Sequence, residues 1–111
     1  MARTVLVPNL PTRWDAALKG RVPSIDLNGA AHHGELKCAT QGPVDAAGIE
    51  AFLDAIHAAV DELEADDCIL MTGDPVCQAA ALSYACDRFK VFTVLRWDKQ
   101  RRTYDKIEVQ L

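Results

Sequence analysis

The stretch CILMTGDPVCQAAALSYACDRFKVFTVLRW, residues 68–97, decides the fold. It begins with an unalternating apolar run, which is typical of a strand covered on both faces of a sheet. Thr72-Gly73-Asp74-Pro75 breaks this run. Asp74 before Pro75 indicates a helix start, because the carboxylate accepts amide hydrogen bonds and proline at the first helical position loses no needed donor. A second apolar strand follows, so the stretch predicts a strand–helix–strand unit with parallel strands.

A similar unit precedes it. Residues 35–40 are a strand candidate that Gln41-Gly42-Pro43 ends, and Asp45 is placed to cap the helix that follows. The apolar residues of this helix recur at intervals of three and four and form one stripe. They are Ile49, Phe52, Leu53, Ile56, Val60 and Leu63. A stripe of this kind predicts an amphipathic helix packed on a sheet.

The two ends of the chain complete the element order. Residues 4–7 predict a short buried strand, residues 8–34 contain scattered prolines and glycines, and residues 103–111 alternate as the second strand of a hairpin. The order is therefore strand, loop, strand, helix, strand, helix, strand, strand. We expect residues 1–111 to form a single small Rossmann-like α/β domain in two or three layers. Its mostly parallel sheet ends in an antiparallel hairpin, and residues 8–34 form an irregular loop that is a candidate lid or binding segment.

Composition places the chain among globular proteins, since 50% of its residues are apolar and 25% are charged. It contains neither a run of about 18 apolar residues nor a signal-peptide pattern at its start, so the expected location is the cytoplasm, without membrane association. The four cysteines include no C-x-x-C spacing and lie in apolar segments, which predicts free buried thiols. The adjacent His32 and His33 point in opposite directions if extended, and we expect neither a metal nor a cofactor.

Charge is distributed unevenly along the chain, whose net charge is −4. The segment from Cys38 to Asp87 contains ten acidic residues and neither lysine nor arginine. From Arg88 onward, seven basic residues stand against three acidic ones. The molecule should therefore present one acidic and one basic surface.

The carboxyl ends of parallel strands are the expected position of any small-molecule site. The candidate ligand-binding residues there are Asn9, Thr72, Gly73, Asp74 and Asp98, with Arg13 and Trp14 from the long loop. The turn at Gly73 has one glycine where a dinucleotide fingerprint has three, and it lacks the Lys-Ser or Lys-Thr of a P-loop. These features favour a capped turn over a nucleotide site, and no catalytic constellation is visible.

The hairpin RWDKQRRTYDK, residues 96–106, interleaves basic and aromatic side chains, which are the ingredients of phosphate contact and base stacking. Lys99, Arg101 and Arg102 are the candidate nucleic-acid-binding residues. The chain as a whole is acidic and has no helix-turn-helix or RNP pattern, so a solvated hairpin tip is the simpler interpretation.

Five segments carry a resemblance. VLVPNLPTRWD, RVPSIDL, GEL, DDCILMTGDP and RWDKQRRTYD together resemble a group of small α/β proteins encoded by tailed bacteriophages, a group without an assigned function. The resemblance spans most of the chain and implies a phage protein in the host cytoplasm.

Three functions stay open at this point. The leading hypothesis is a non-enzymatic phage accessory protein that acts through protein–protein contacts with a host protein, a phage protein or further copies of itself. The first alternative is a small-molecule or nucleotide binder at the carboxyl edge of the sheet. The second is nucleic-acid binding through the basic C-terminal hairpin.

Overall fold

A computed structural model describes residues 3–110 of the chain. Two sheets and three helices make up this part. In chain order the elements are β1 (Thr4–Val7), β2 (Thr12–Asp15), β3 (Gly20–Pro23), α1 (Asn28–Ala31), β4 (Glu35–Cys38), α2 (Ile49–Asp61), β5 (Cys68–Leu70), α3 (Pro75–Phe89), β6 (Val91–Asp98) and β7 (Thr103–Gln110).

The larger sheet has five strands in the order β4-β1-β5-β6-β7. The first four strands are parallel to their neighbours, and β7 pairs with β6 in antiparallel orientation. This confirms the prediction of a mixed α/β fold with a mostly parallel sheet that ends in an antiparallel hairpin. The predicted last residue of that hairpin, Leu111, lies outside the described residues.

The strand order reverses at β1. The chain moves from β1 to β4 on one side of it and then returns past it to β5 and β6 on the other. Right-handed crossovers in opposite directions lie on opposite faces of a sheet. The helices α2 and α3 therefore share one face, and the segment between β1 and β4 covers the other.

Each face has its own apolar core. The helix-side core is formed by Leu6, Ile56, Val60, Leu63, Ile69, Cys77, Ala81, Ala85, Cys86, Phe92 and Val94. The α1-side core is formed by Val5, Val7, Leu10, Ala30, Cys68, Leu70 and Leu95. Phe92 and Val94 of β6 lie in the helix-side core and Leu95 lies in the α1-side core, as expected for a strand covered on both faces.

The prediction of an irregular loop over residues 8–34 is wrong in detail. The segment holds the hairpin β2–β3, which forms a separate two-stranded sheet, and the short helix α1. The Arg21 guanidinium fastens the hairpin by donating to the Thr12 hydroxyl at 2.7 Å and to the Thr12 carbonyl oxygen at 2.9 Å. Residues of the hairpin are mostly exposed or half-buried, so their sequence lacks the apolar alternation that would have revealed two strands.

Asp45 does not cap α2, contrary to the prediction. The helix begins at Ile49, and Gly48 occupies the cap position without a side-chain hydrogen bond. The Asp45 carboxylate instead accepts a hydrogen bond from the Gly48 amide at 2.8 Å, within the turn that precedes the helix. At the other end of α2, Arg88 of α3 donates to the carbonyl oxygens of Val60 and of Leu63, the latter at 3.1 Å.

The cysteine prediction holds for three of the four thiols. Cys68, Cys77 and Cys86 are free and buried, whereas Cys38 is free but exposed. Cys38 ends β4, which is an outer strand of the sheet, so this position lacks the cover that β5 has on both sides. Within residues 3–110, no helix combines the length and the apolar character needed to cross a membrane.

Candidate functional site

Asn9 is the polar centre of the carboxyl edge of the sheet and is only 3% exposed. Its side-chain nitrogen donates to the Thr40 hydroxyl at 3.2 Å and to the Gly42 carbonyl oxygen at 3.0 Å. Its side-chain oxygen accepts a hydrogen bond from the Asp74 amide at 2.9 Å. One side chain thus joins the segments that follow β1, β4 and β5.

Gly73 lies directly against Asn9. A Cβ atom at Gly73 would approach the Asn9 carbonyl oxygen to 2.0 Å, and the φ angle of Gly73 is +88°. Both the space and the backbone conformation therefore require glycine here. The single glycine of the turn serves close packing between two chain segments.

The start of α3 is capped by the protein itself. The Asp74 carboxylate accepts hydrogen bonds from the amides of Val76 at 2.8 Å and Cys77 at 3.4 Å, and Pro75 is the first helical residue. This confirms the predicted capped turn. Burial raises the pKa of the Cys77 thiol, and the charge of Asp74 raises it further. Cys77 is therefore a packed, protonated thiol and a poor nucleophile.

A shallow cleft of about 440 Å³ lies outside this turn. Four of the predicted ligand-binding residues line it, namely Asn9, Thr72, Gly73 and Asp74, together with Pro11, Thr12, Gly42, Pro43 and Val44. The other three lie outside its lining. Arg13 places its guanidinium 3.9 Å from the Asp15 carboxylate on β2, Trp14 is 60% exposed on the same strand, and Asp98 ends β6.

A second cavity, of about 280 Å³, lies on the α1 side of the sheet and shares Thr72 with the cleft. We call it the aromatic cavity. Its lining is Ile25, Asp26, Met71, Thr72, Trp97 and Tyr104. The Trp97 and Tyr104 rings are 4.9 Å apart at their centroids, and Trp97 is 40% exposed. Its lining is mostly apolar and aromatic, and Asp26 and Thr72 are its polar members.

Tyr104 connects the C-terminal hairpin to the segment before α1. Its hydroxyl donates to the Asp26 carbonyl oxygen at 3.1 Å, and its ring lies against Gly29, where an added Cβ would come within 3.1 Å of it. Burial raises the pKa of Tyr104, and the Asp26 charge raises it further, so the hydroxyl stays protonated as a donor.

The aromatic cavity was missed because its members come from four separate segments of the chain. Trp97 and Tyr104 are cross-strand partners in the β6–β7 hairpin, and that pairing could have been found by counting back from the hairpin loop. The position of Ile25 opposite them depends on the route of the long connection, which local patterns do not reveal.

The basic hairpin is less available for phosphate contact than its composition suggests. Asp98 accepts hydrogen bonds from the amides of Gln100 at 2.9 Å and Arg101 at 3.1 Å, and from the Arg101 guanidinium at 3.0 Å. The same guanidinium donates to Asp105 at 2.7 Å. Two carboxylates therefore hold Arg101, while Lys99 and Arg102 are exposed at the tip.

Between Arg3 and Gln110, no three His, Cys, Asp or Glu side chains lie close enough together to hold a metal ion.

Comparison with known families identifies the group to which the chain is similar. The family model described as Phage Pam3 gp32-like protein matches residues 3–111. The chain belongs to this family. The match confirms the resemblance to phage proteins and covers nearly the whole sequence. Neither a curated protein nor a solved structure matches the chain.

The first prediction concerns Asn9. Replacement by alanine leaves the Asp74 amide and the Gly42 carbonyl without their partner, and we expect a loss of about 2–4 kcal/mol in the free energy of unfolding. Urea denaturation followed by circular dichroism measures it. The matched control is Asn28→Ala at an exposed position, for which we expect a change within about 0.5 kcal/mol. Equal unfolding midpoints for the two variants would contradict the proposed role of Asn9.

The second prediction concerns pH. Hydrogen bonds from the Arg101 amide and then from its guanidinium lower the pKa of Asp98 below its ordinary value of 3.8. A lowered folded-state pKa means that the stabilisation is present above pH 3.8 and is lost as the pH falls through the folded-state value. NMR titration should find the Asp98 pKa below 3.8 in the wild type. In Arg101→Ala the Asp98 pKa should rise part of the way towards 3.8, because the guanidinium is lost and the amide of residue 101 remains. In Lys99→Ala the Asp98 pKa should stay as in the wild type. A wild-type pKa at or above the ordinary value would refute the arrangement.

Proposed function

We propose that this chain is a non-enzymatic phage accessory protein that acts through protein–protein contacts, and that the outer edge of β7 makes the contact. One observation carries the proposal. Among the described residues β7 pairs only with β6, so its eight residues form an open edge of the sheet. An open edge presents backbone N–H and C=O groups to which another strand can add.

The two edges of the sheet differ in length and in chemistry. The opposite edge strand, β4, has four residues, half the length of β7. Soluble proteins usually keep exposed edge strands short or cover them, because a long edge invites pairing with other chains. A long edge with an exposed Ile107 and with Lys106 and Glu108 beside it is therefore suited to a partner of matching sequence.

The test is a pull-down from lysate of the infected host with tagged wild type and two variants. Ile107→Arg places a charge at the middle of the β7 edge. Val76→Arg is the matched control, because Val76 is also an exposed apolar residue, 54% accessible, but lies on α3. We expect the wild type and Val76→Arg to retain the same bound proteins, and Ile107→Arg to lose them. Equal capture by Ile107→Arg would refute the use of this edge.

A second function is supported by the aromatic cavity. We propose that the sheet is Rossmann-like, and that it binds a small aromatic ligand at the carboxyl ends of its strands, as Rossmann-type sheets do. In doubly wound sheets, ligands bind outside the carboxyl ends of strands near the point where strand order reverses. Here β1 and β5 flank that reversal, and the aromatic cavity lies on the other side of β5, where Met71 and Thr72 follow β5 and Trp97 lies near the end of β6.

This alternative is tested by fluorescence and thermal unfolding. Trp14→Phe leaves Trp97 as the single tryptophan, so quenching then reports on the cavity alone. With adenine, adenosine and nicotinamide as probes, we expect saturable quenching and a higher melting temperature for at least one compound. Trp97→Ala should abolish the melting shift, whereas Trp14→Phe should keep it. Unchanged fluorescence and melting with all three compounds would exclude this class of ligand.

A further inference from the structure

We infer that the partner of the β7 edge is a second copy of this chain, paired antiparallel to the first with Ile107 at the two-fold axis. The inference rests on the proposed function, since it names the partner for the same edge. Each five-stranded sheet would then continue into the other across the two β7 strands.

The register follows from the charges along β7. When two identical antiparallel strands meet at a two-fold axis, the central residue faces its own copy, and the residues on either side of it face each other. With Ile107 at the centre, Lys106 of each copy faces Glu108 of the other. The contact thus contains two identical pairs of opposite charge, and directly opposed charges of this kind stabilise strand pairing.

Neighbouring registers are unfavourable. A centre at Lys106 places two lysines opposite each other, a centre at Glu108 places two glutamates together, and a centre at Asp105 opposes two aspartates. Like charges directly across a strand pair destabilise it. Of the four centres from Asp105 to Glu108, only Ile107 pairs opposite charges.

The side chains of β7 meet the requirements of this register on both faces of the sheet. Ile107 is 37% exposed and lies on the same face as Val109, which packs against the helix-side core. Pairing brings two Ile107 side chains together and removes apolar surface from water. Asp105 would face Val109 of the second copy, and its charge is already paired with Arg101 at 2.7 Å.

On the other face, Lys106 and Glu108 are available for the contact. Both side chains are exposed, and within residues 3–110 neither forms an ion pair with another side chain. Lys106 and Glu108 line a depression together with Arg3 and Asp66. The Arg3 guanidinium and the Asp66 carboxylate pair with each other at 3.7 Å. The two charges of β7 therefore need not give up an existing partner when the second copy binds.

Charge reversal provides the test. Sedimentation of the wild type should show a species of twice the 12.2 kDa chain mass. Lys106→Glu opposes glutamates at both sites, and Glu108→Lys opposes lysines, so each variant should weaken the dimer about tenfold or more. The double variant Lys106→Glu/Glu108→Lys restores opposite charges at both sites and should recover the wild-type dimer. The matched control is Lys37→Glu, which reverses an exposed charge on β4 at the other edge and should leave the dimer unchanged.

The outcomes separate this inference from the proposed function. A wild type that sediments at 12.2 kDa up to its solubility limit overturns the second copy as partner, while capture of another protein that Ile107→Arg abolishes would leave the β7 edge as the contact. A dimer that both β7 reversals leave intact overturns this register and the second copy as the partner of β7, whatever the effect of Lys37→Glu. The pull-down with Ile107→Arg then decides separately whether the β7 edge binds another protein. Circular dichroism of each variant confirms that it is folded, and recovery in the double variant excludes a general loss of structure.

Discussion

The arrangement of the sheet depends on the buried amide of Asn9. Its three hydrogen bonds connect the chain after β1 to the chain after β4 and to the amide at the start of α3. Gly73 allows the turn before α3 to approach the Asn9 backbone, which any side chain would prevent. The position of α3 on the sheet, and hence the crossover into β6, follows from this contact. A buried amide with all of its partners present is stabilising, and with one removed it becomes costly.

The same constraint changes how the turn should be interpreted functionally. A strand followed by a glycine turn and a helix resembles an anion-binding site. Here the first amides of the helix already donate to the Asp74 carboxylate, and this negative charge repels a phosphate. The two surfaces that we propose for recognition therefore do not include the turn itself. They are the aromatic cavity, which uses Trp97 and Tyr104, and the outer edge of β7, which lies two strands away from β5.

The sequence allowed prediction of those parts of the fold whose signals are local. The strand–helix–strand unit around Asp74 was predicted correctly because apolar runs, a cap and a proline lie next to one another in the chain. Prediction failed in the β2–β3 hairpin because exposure removes the apolar pattern there. It failed at Cys38 because β4 is an outer strand, and its position in the sheet leaves that thiol exposed. The prediction that Asp45 caps α2 was wrong because an aspartate side chain can accept a hydrogen bond within a turn as well as at a helix start. The aromatic cavity could not be predicted because Ile25 reaches it by a long-range route.

The contact between Arg88 and the end of α2 has a consequence for motion. Arg88 belongs to α3 yet donates to two carbonyl oxygens in and just after the last turn of α2, and its guanidinium lies 4.4 Å from the centroid of the Phe89 ring. If the C-terminal end of either helix unfolds, the hydrogen bonds between Arg88 and these two carbonyl oxygens are lost. The two crossovers should therefore open as one cooperative unit, so that amide hydrogens in α2 and α3 exchange with solvent at a common free energy of opening.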